Sequence, residues 1–278
     1  MALPGKTLLS LSTSAREKRS LVALMPLTAI TRQVSPEINR CELSFHARQP
    51  IDLAKAIAQH DAYQRCLVEL GLHVVTLPAE PELPDSVFVE DPAIVLDEVA
   101  VIMNMGAPSR RAEAASLAHA LAPYRPLAYL RPPATMDGGD VLRVGHSLFV
   151  GLSRRSTLEG IKQLTAIVGP HGYDVQAVEM HDCLHLKSAV SYLGRDTLLL
   201  NRSWIEPAPF RALRLLDAAK EEPGAANVLL VNQTVIMPAG FPKTHSCLRQ
   251  EGFEVRAIDV SELQKAEAGV TCCSLIVS

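Results

Sequence analysis

Apolar residues in this chain come in short strand-like runs that alternate with single stretches of helical spacing. After "LVALMPLTAI", read as a first strand, "PIDLAKAIAQHDAYQRCLVELGL" predicts a helix, with Pro50 in its first turn and Gly71 as its stop. "HVVTL", "AIVL" and "VAVIMNM" predict strands ahead of a helix near "SRRAEAASLAHAL". "LAYL", "VLRVG" and "SLFVGL" precede a helix through "STLEGIKQLTAIVG". "YDVQAVEM", "AVSYLG" and "DTLLLN" lead into an expected helix around "PFRALRLLDAAK". The last round is "NVLLVNQTVIMPA", a helix near "KTHSCLRQEG", "EVRAIDV", a short "SELQKA" helix and a closing strand "CCSLIVS".

This amounts to about five rounds of a few strands plus one helix, without a Gly/Ser linker between them. A single α/β domain with internal pseudo-repetition fits, with residues 1–22 as a flexible extension and 23–278 as the domain. Strands mostly paired between helices disfavour a simple parallel βαβ sheet. Neither G-x-G-x-x-G nor the phosphate-loop motif is present, so no nucleotide fold is indicated.

Composition narrows the function. With 278 residues, 48% of them hydrophobic and 21% charged, the chain reads as a soluble globular protein. A formal charge of −3 and only 4% aromatic residues give no footprint for nucleic acid, which leaves a small molecule as partner. The apolar run near the start breaks at Pro26 and is too short to span a bilayer. Six scattered cysteines do not make a disulfide framework, so the protein reads as reduced and cytoplasmic.

Polar residues gather at the ends of the predicted strands. "PDSVFVEDPA" carries Asp85, Glu90 and Asp91; extended, it puts Asp85 and Asp91 on one face and Glu90 on the other. Three carboxylates among Val and Phe fit either an exposed strand edge or a cation pocket. In "GAPSRRAE", Arg110 and Arg111 stand at an expected helix start, as a solvated pair or as an anion site with the helix amides. "TMDGGDVL" carries Asp137 and Asp140 around a Gly-Gly turn, and "GLSRRST" places Arg154 and Arg155 after a strand. His185 alternates with Leu184 and Leu186 in "CLHLKS", as a core histidine or a base. No spacing around it makes a zinc site. Cys272 and Cys273 close the set; on a strand they would face opposite ways. A thiol, a histidine and an orienting carboxylate are the parts of covalent catalysis.

The motifs "PDSVFVED", "GAPSRR", "DGGDVL", "FVGLSRRS", "LHLKS" and "TCCSL", in this order, resemble those of the dimethylarginine dimethylaminohydrolases, from about Leu24 to the end. The resemblance implies the five-bladed α/β propeller (pentein fold) of the guanidine-modifying enzymes, with the site on its axis. It implies Cys272 as nucleophile, His185 as general acid and base, and Asp137 as the carboxylate orienting His185. Glu90 and Asp91 then grip the guanidinium. Asp85 and the carbonyls of Leu43 and Ala266 take the α-amino group, and Arg110 and Arg155 clamp the α-carboxylate. The implied reaction releases citrulline and a methylated amine with no metal or cofactor, although thiolate and imidazole would also suit an inhibitory Zn²⁺. No membrane or nucleic acid takes part, and a homodimer is one of the open oligomeric states. The rival readings are a related hydrolase acting on arginine itself, an amidinotransferase, and a non-catalytic amino-acid-binding protein.

Overall fold

The computed structural model describes residues 27–278, so the expected extension over 1–22 and the front of the expected first strand lie outside it. Fifteen strands among the described residues form five separate three-stranded sheets. The second shows the plan: β4 (Ala100–Ile102) pairs antiparallel with β3 (Ala93–Val95) and parallel with β5 (Leu127–Tyr129). The antiparallel neighbour needs only a tight turn, whereas the parallel one needs a long crossover, and α2 (Glu113–Leu121) supplies it. The first sheet repeats the plan with α1 (Leu53–Glu69) between β1 (Thr28–Arg32) and β2 (His73–Leu77). The third has β6 (Val141–Val144), β7 (Ser147–Leu152), α3 (Leu158–Val168) and β8 (Asp174–Glu179). The fifth has β12 (Leu229–Val231), β13 (Thr234–Pro238), α5 (Pro242–Gln250) and β14 (Glu254–Ile258).

The fourth sheet departs from expectation. β9 (Val190–Tyr192) and β10 (Thr197–Leu200) are followed not by a helix but by a 3-10 turn at Ala208–Phe210 and then β11 (Arg214–Asp217). "RLLD" has helical spacing with its neighbours, but β10 is buried along its whole length and offers an unpaired edge, which β11 fills in parallel register from Thr197↔Arg214 to Leu200↔Asp217. Tertiary pairing overrides local propensity here. A smaller correction concerns α1, whose N-cap is Asp52, accepting from the Lys55 N–H at 3.0 Å, so that Pro50 lies before the first turn. Gly71 ends that helix region at φ +91°.

Closure comes from the chain end. β15 (Leu275–Val277) pairs antiparallel with β1, from Thr28↔Val277 to Ile30↔Leu275, and completes the first sheet. Val95, Leu142, Tyr192, Leu229 and Ile276, one from each of β3, β6, β9, β12 and β15, line one cavity of about 370 Å³. The five sheets are therefore the blades of an α/β propeller, with these strands around its axis.

The registers also fix where loops can meet. Within a blade the outer strand runs parallel to the middle one and the inner strand antiparallel. The end of the middle strand, the end of the outer strand and the start of the inner strand therefore share one end of the propeller. Every connection from one blade to the next, and every exit from a middle strand toward its helix, lies at that end.

Candidate active site

The five blade-to-blade connections each deliver side chains to this end. Residues 78–92 carry Asp85, Glu90 and Asp91; 130–140 carry Asp137 and Asp140; 180–189 carry His185 and Lys187; 218–228 carry Asn227; and 259–274 carry Ala266 and Cys272. The exits from β1, β4 and β7 add Leu43, Arg110 and Arg155. Residues up to 230 positions apart in sequence thus meet because the repeat returns the chain to one place. Eight of the ten expected site residues line a single pocket. The exceptions are Asp137, fully buried behind His185, and Leu43, in the exposed loop beside it.

His185 is buried and extended, at φ −132° and ψ 158°, at the N-cap of α4 (Leu186–Ala189). Its Nε2 lies 3.1 Å from Asp137 Oδ2, and its Nδ1 lies 3.6 Å from Asp91 Oδ1. Burial alone would lower the imidazole pKa, but Asp91, Asp137 and Asp140 outweigh it and push it up to about 9. Asp137 is held in turn by the Gly106 N–H at 2.8 Å. The Gly-Gly pair after Asp137 is a requirement of close approach: a Cβ on Gly139 would sit 2.6 Å from both Asp91 Oδ1 and His185 Nδ1. Gly139 instead donates its N–H to Asp91 Oδ1 at 3.1 Å. Asp140 accepts from the Ser153 and Ser156 hydroxyls at 2.6 Å each and from Leu186 N–H at 2.9 Å, tying the Arg155 loop to the His185 segment.

The carboxylate segment is not the extended strand that its alternation predicts. Residues 84–92 run through successive turns, with Phe88 N–H bonded to Asp85 C=O at 2.9 Å. Glu90 therefore lines the same pocket as Asp85 and Asp91 rather than the opposite face, and all three are buried. Burial raises the Glu90 carboxyl above the usual range, although Lys187 Nζ donates to its Oε1 at 2.5 Å. Asp91 is pulled the other way: against burial, the charges of His185, Arg110 and Lys187 hold it low.

The two arginines differ. Arg110 lies in a 3-10 turn ahead of α2, not at the helix amides, and its guanidinium is already bonded to carboxylates. It donates to Asp91 Oδ2 at 2.7 Å and, through Nε and Nη2, to Glu113 at 3.0 and 2.8 Å. Arg110 lines the pocket as expected and is also the central cation of a buried carboxylate network. Arg155 keeps capacity: Nη2 donates to Ser44 Oγ at 3.2 Å, and Nη1 is buried without a hydrogen-bond partner among the described residues. The other expected neighbour, Arg111, turns aside and donates to Met105 C=O at 3.0 Å.

Cys272 and Cys273 are in a turn before β15, not on it. Their sulfurs do not face opposite ways: they lie 3.8 Å apart, and Gly269 C=O is 3.2 Å from the first and 3.8 Å from the second. Cys272 is partly exposed to the pocket, whereas Cys273 is fully buried. The Cys273 thiol, burial, and the charges of Asp91 and Glu90 together raise the Cys272 thiol well above its ordinary range. Among the described residues no three His, Cys, Asp or Glu side chains converge as a metal would need.

Four residues of the site are not singled out from the sequence, although Lys187 and Glu113 lie within the quoted stretches "LHLKS" and "GAPSRRAE". Lys187 faces Glu90, and Glu113 completes the Arg110 network. Asn227 donates to Lys187 C=O at 2.8 Å and accepts from Val270 N–H at 2.8 Å, so it joins the histidine segment to the cysteine segment. The Glu267 carboxylate accepts the backbone N–H groups of Ser44, Phe45 and His46. Glu113 has a local signal in its i,i+3 spacing from Arg110, and Lys187 lies two residues from His185; the other two have none.

A family model for eukaryotic N,N-dimethylarginine dimethylhydrolase matches residues 26–213. The N(G),N(G)-dimethylarginine dimethylaminohydrolase of Pseudomonas aeruginosa is 36% identical over 84% of this chain and 92% of its own. That of Streptomyces coelicolor is 37% identical over 89% of this chain and 95% of its own. The fold superposes on a Cys-to-Ser mutant of the Pseudomonas aeruginosa enzyme complexed with citrulline, with a TM-score of 0.85 at 34% identity, covering 90% of this chain and 98% of the other. The N-terminal domain of ArgZ, a cyanobacterial arginine dihydrolase, shares the fold at a TM-score of 0.80 but only 18% identity, covering 91% of this chain and 98% of that one. Matched over most of its length by both the family model and these relatives, the chain belongs to the dimethylarginine dimethylaminohydrolase family.

Proposed function

We propose that this protein hydrolyses Nω-methylated arginine to citrulline and a methylated amine, with Cys272 as nucleophile. The observation that carries this reading is the meeting of a pocket-facing thiol, a histidine 3.1 Å from a buried aspartate, and two buried carboxylates in one pocket. A binding protein needs no such thiol, and a buried carboxylate pair calls for a cation.

The protonation states set the order of events. Without substrate the thiol is protonated and His185 is an imidazolium at neutral pH. A guanidinium seated against Glu90 and Asp91 adds one positive charge that offsets the pull of these carboxylates on the thiol proton, and that proton leaves to solvent. To reach Glu90 the guanidinium shares or displaces Lys187, and Glu90 Oε2 is the oxygen without Lys187 on it. The thiolate then attacks the guanidinium carbon. His185 donates its proton to the departing amine, whose C–N bond breaks, leaving an S-alkylthiouronium on Cys272. The now neutral His185 accepts a proton from water, hydroxide adds to the thiouronium carbon, and the C–S bond breaks to release citrulline. General acid–base help of this kind is worth roughly 10²–10⁴-fold. Asp137 keeps the imidazole oriented throughout.

At the other end of the substrate, Asp85 and the carbonyls of Leu43 and Ala266 take the ammonium. Arg155, whose Nη1 has no hydrogen-bond partner among the described residues and lies 3.7 Å from Asp137 Oδ2, takes the carboxylate. Arg110 supports this arrangement by fixing Asp91. All six cysteines are free, which suits a reduced, cytoplasmic setting for a thiol enzyme. Purified protein should convert asymmetric dimethylarginine and monomethylarginine to citrulline with equimolar amine. Turnover of arginine alone, with ammonia as the second product, would overturn the substrate assignment.

A further inference from the structure

The catalytic pocket is narrow: its cavity is about 30 Å³, while an adjoining cavity of about 400 Å³ opens beside it. The smaller one holds about a water molecule, whereas ligand pockets run to about 300–1,000 Å³. Some wall must move for an amino acid to enter. The inner wall is poorly suited, because Asp91, Asp137, Arg110 and His185 are buried and bonded to one another. The loop at Glu42–His46 is exposed, and Phe45 and His46 line the larger cavity while Glu42 lines the smaller.

Asp85 accepts the Glu42 N–H, Ser109 donates to the Glu42 carboxylate and Arg155 to Ser44 Oγ, but one side chain holds the backbone of residues 44–46. The Glu267 carboxylate accepts three consecutive backbone N–H groups, from Ser44 at 2.9 Å and from Phe45 and His46 at 2.5 Å each. Hydrogen bonds to an ionised acceptor are roughly twice as strong as neutral ones. Glu267 itself sits at φ 59°, in the left-handed region that a glutamate adopts only at a cost. Peptide planarity then links the grip to the substrate cradle. The Leu43 C=O and the Ser44 N–H are one rigid unit pointing opposite ways, so anchoring the N–H on Glu267 turns the Leu43 carbonyl away from it. The Ala266 carbonyl belongs to the peptide that leads into Glu267. A single carboxylate thus ties together the two turns whose carbonyls take the ammonium.

We propose that Glu267 is a positioning residue, a latch that closes the Ser44–His46 loop over the amino-acid end of the substrate and sets the distance between the Leu43 and Ala266 carbonyls. The substrate half of this proposal rests on the reading of the site given above; the latch half does not. Glu267→Gln keeps the size but turns an NH₂ donor toward N–H donors. Glu267→Gly keeps the left-handed backbone without strain and deletes the carboxylate. Glu267→Asp keeps the charge on a shorter arm.

The test reads amide hydrogen exchange at residues 44–46 in the substrate-free full-length protein, together with KM and kcat for asymmetric dimethylarginine. Exchange at these amides should rise about tenfold in the Gln and Gly variants, and KM should rise about tenfold with kcat within about threefold of wild type. Glu267→Asp should recover much of both. Unchanged exchange in both variants would overturn the latch. Faster exchange with a fall in kcat at constant KM would overturn the positioning role. If the wild type fails to convert methylated arginine, the functional reading falls, and the latch stands or falls on the exchange data alone.

Discussion

The two ends of the pocket are built differently. At the inner end, Asp91, Asp137, Asp140, Arg110 and His185 are buried and mutually bonded, so the charges are set before any substrate arrives. At the outer end, Arg155 Nη1 has no hydrogen-bond partner among the described residues and only a loose ion pair, 3.7 Å from Asp137 Oδ2, and the backbone of an exposed loop over residues 44–46 hangs on one carboxylate. The inner end is a finished electrostatic environment, and such preorganisation acts on the chemical step. In the proposed function the amino-acid group of the substrate completes the outer end. Substitutions inside should therefore strike kcat or the fold, and substitutions outside should strike KM.

The largest expected effect separates the two thiols. Cys272→Ser should lower kcat by about 10⁴-fold or more, as loss of a nucleophile does, while Cys273→Ser should cost less than about tenfold. Full activity in the first with loss in the second would reverse the assignment.

The two arginines give the next contrast. Arg110→Met leaves Asp91 and Glu113 without their cation, and breaking a buried ion pair costs about 3–5 kcal/mol. At about 2–4 °C per kcal/mol, thermal unfolding should shift down by about 10 °C. Arg155→Met, which loses only a looser pair with Asp137 at 3.7 Å, should lower the melting temperature less and raise KM about tenfold, since a carboxylate contact at the outer end is lost. Equal effects of the two substitutions on stability would erase the distinction between the ends.

A smaller effect follows from His185. The reaction needs imidazolium as the acid, and that form is lost as pH rises through about 9. The rate should therefore fall above about pH 9, by about tenfold per unit once past the pKa. At lower pH the raised Cys272 pKa limits thiolate, so the rate should climb toward that maximum. A profile that falls through pH 6–7 instead would show that the carboxylates around His185 do not hold its proton.

The sequence carried the blades better than the chemistry between them. Strands such as "HVVTL" and "TLLL" and helices such as that over Leu53–Glu69 declare themselves through local apolar spacing. Arg214–Asp217 did not, because its strand exists only through the open edge of β10. The motif residues Cys272, His185, Asp137, Glu90 and Asp91 were legible as types, and the family resemblance assigned their roles. Their directions were not legible. Turns bring Glu90 round beside Asp91 and put both sulfurs near one carbonyl, and neither follows from alternation along an extended chain. Lys187, Asn227 and Glu267 act through partners 97, 43 and over 220 residues away, which no local pattern announces.

The central claim is that a methylated guanidinium is attacked by Cys272 in a site whose inner end is charged in advance. Acid quenching of the full-length protein during turnover of asymmetric dimethylarginine, followed by peptide mass mapping, tests it most directly. A thiouronium adduct is expected on the peptide containing both cysteines, fragmenting to place it on Cys272, with dimethylamine released in equal amount. Citrulline formation with the adduct on Cys273, or with neither thiol ever modified, would contradict it.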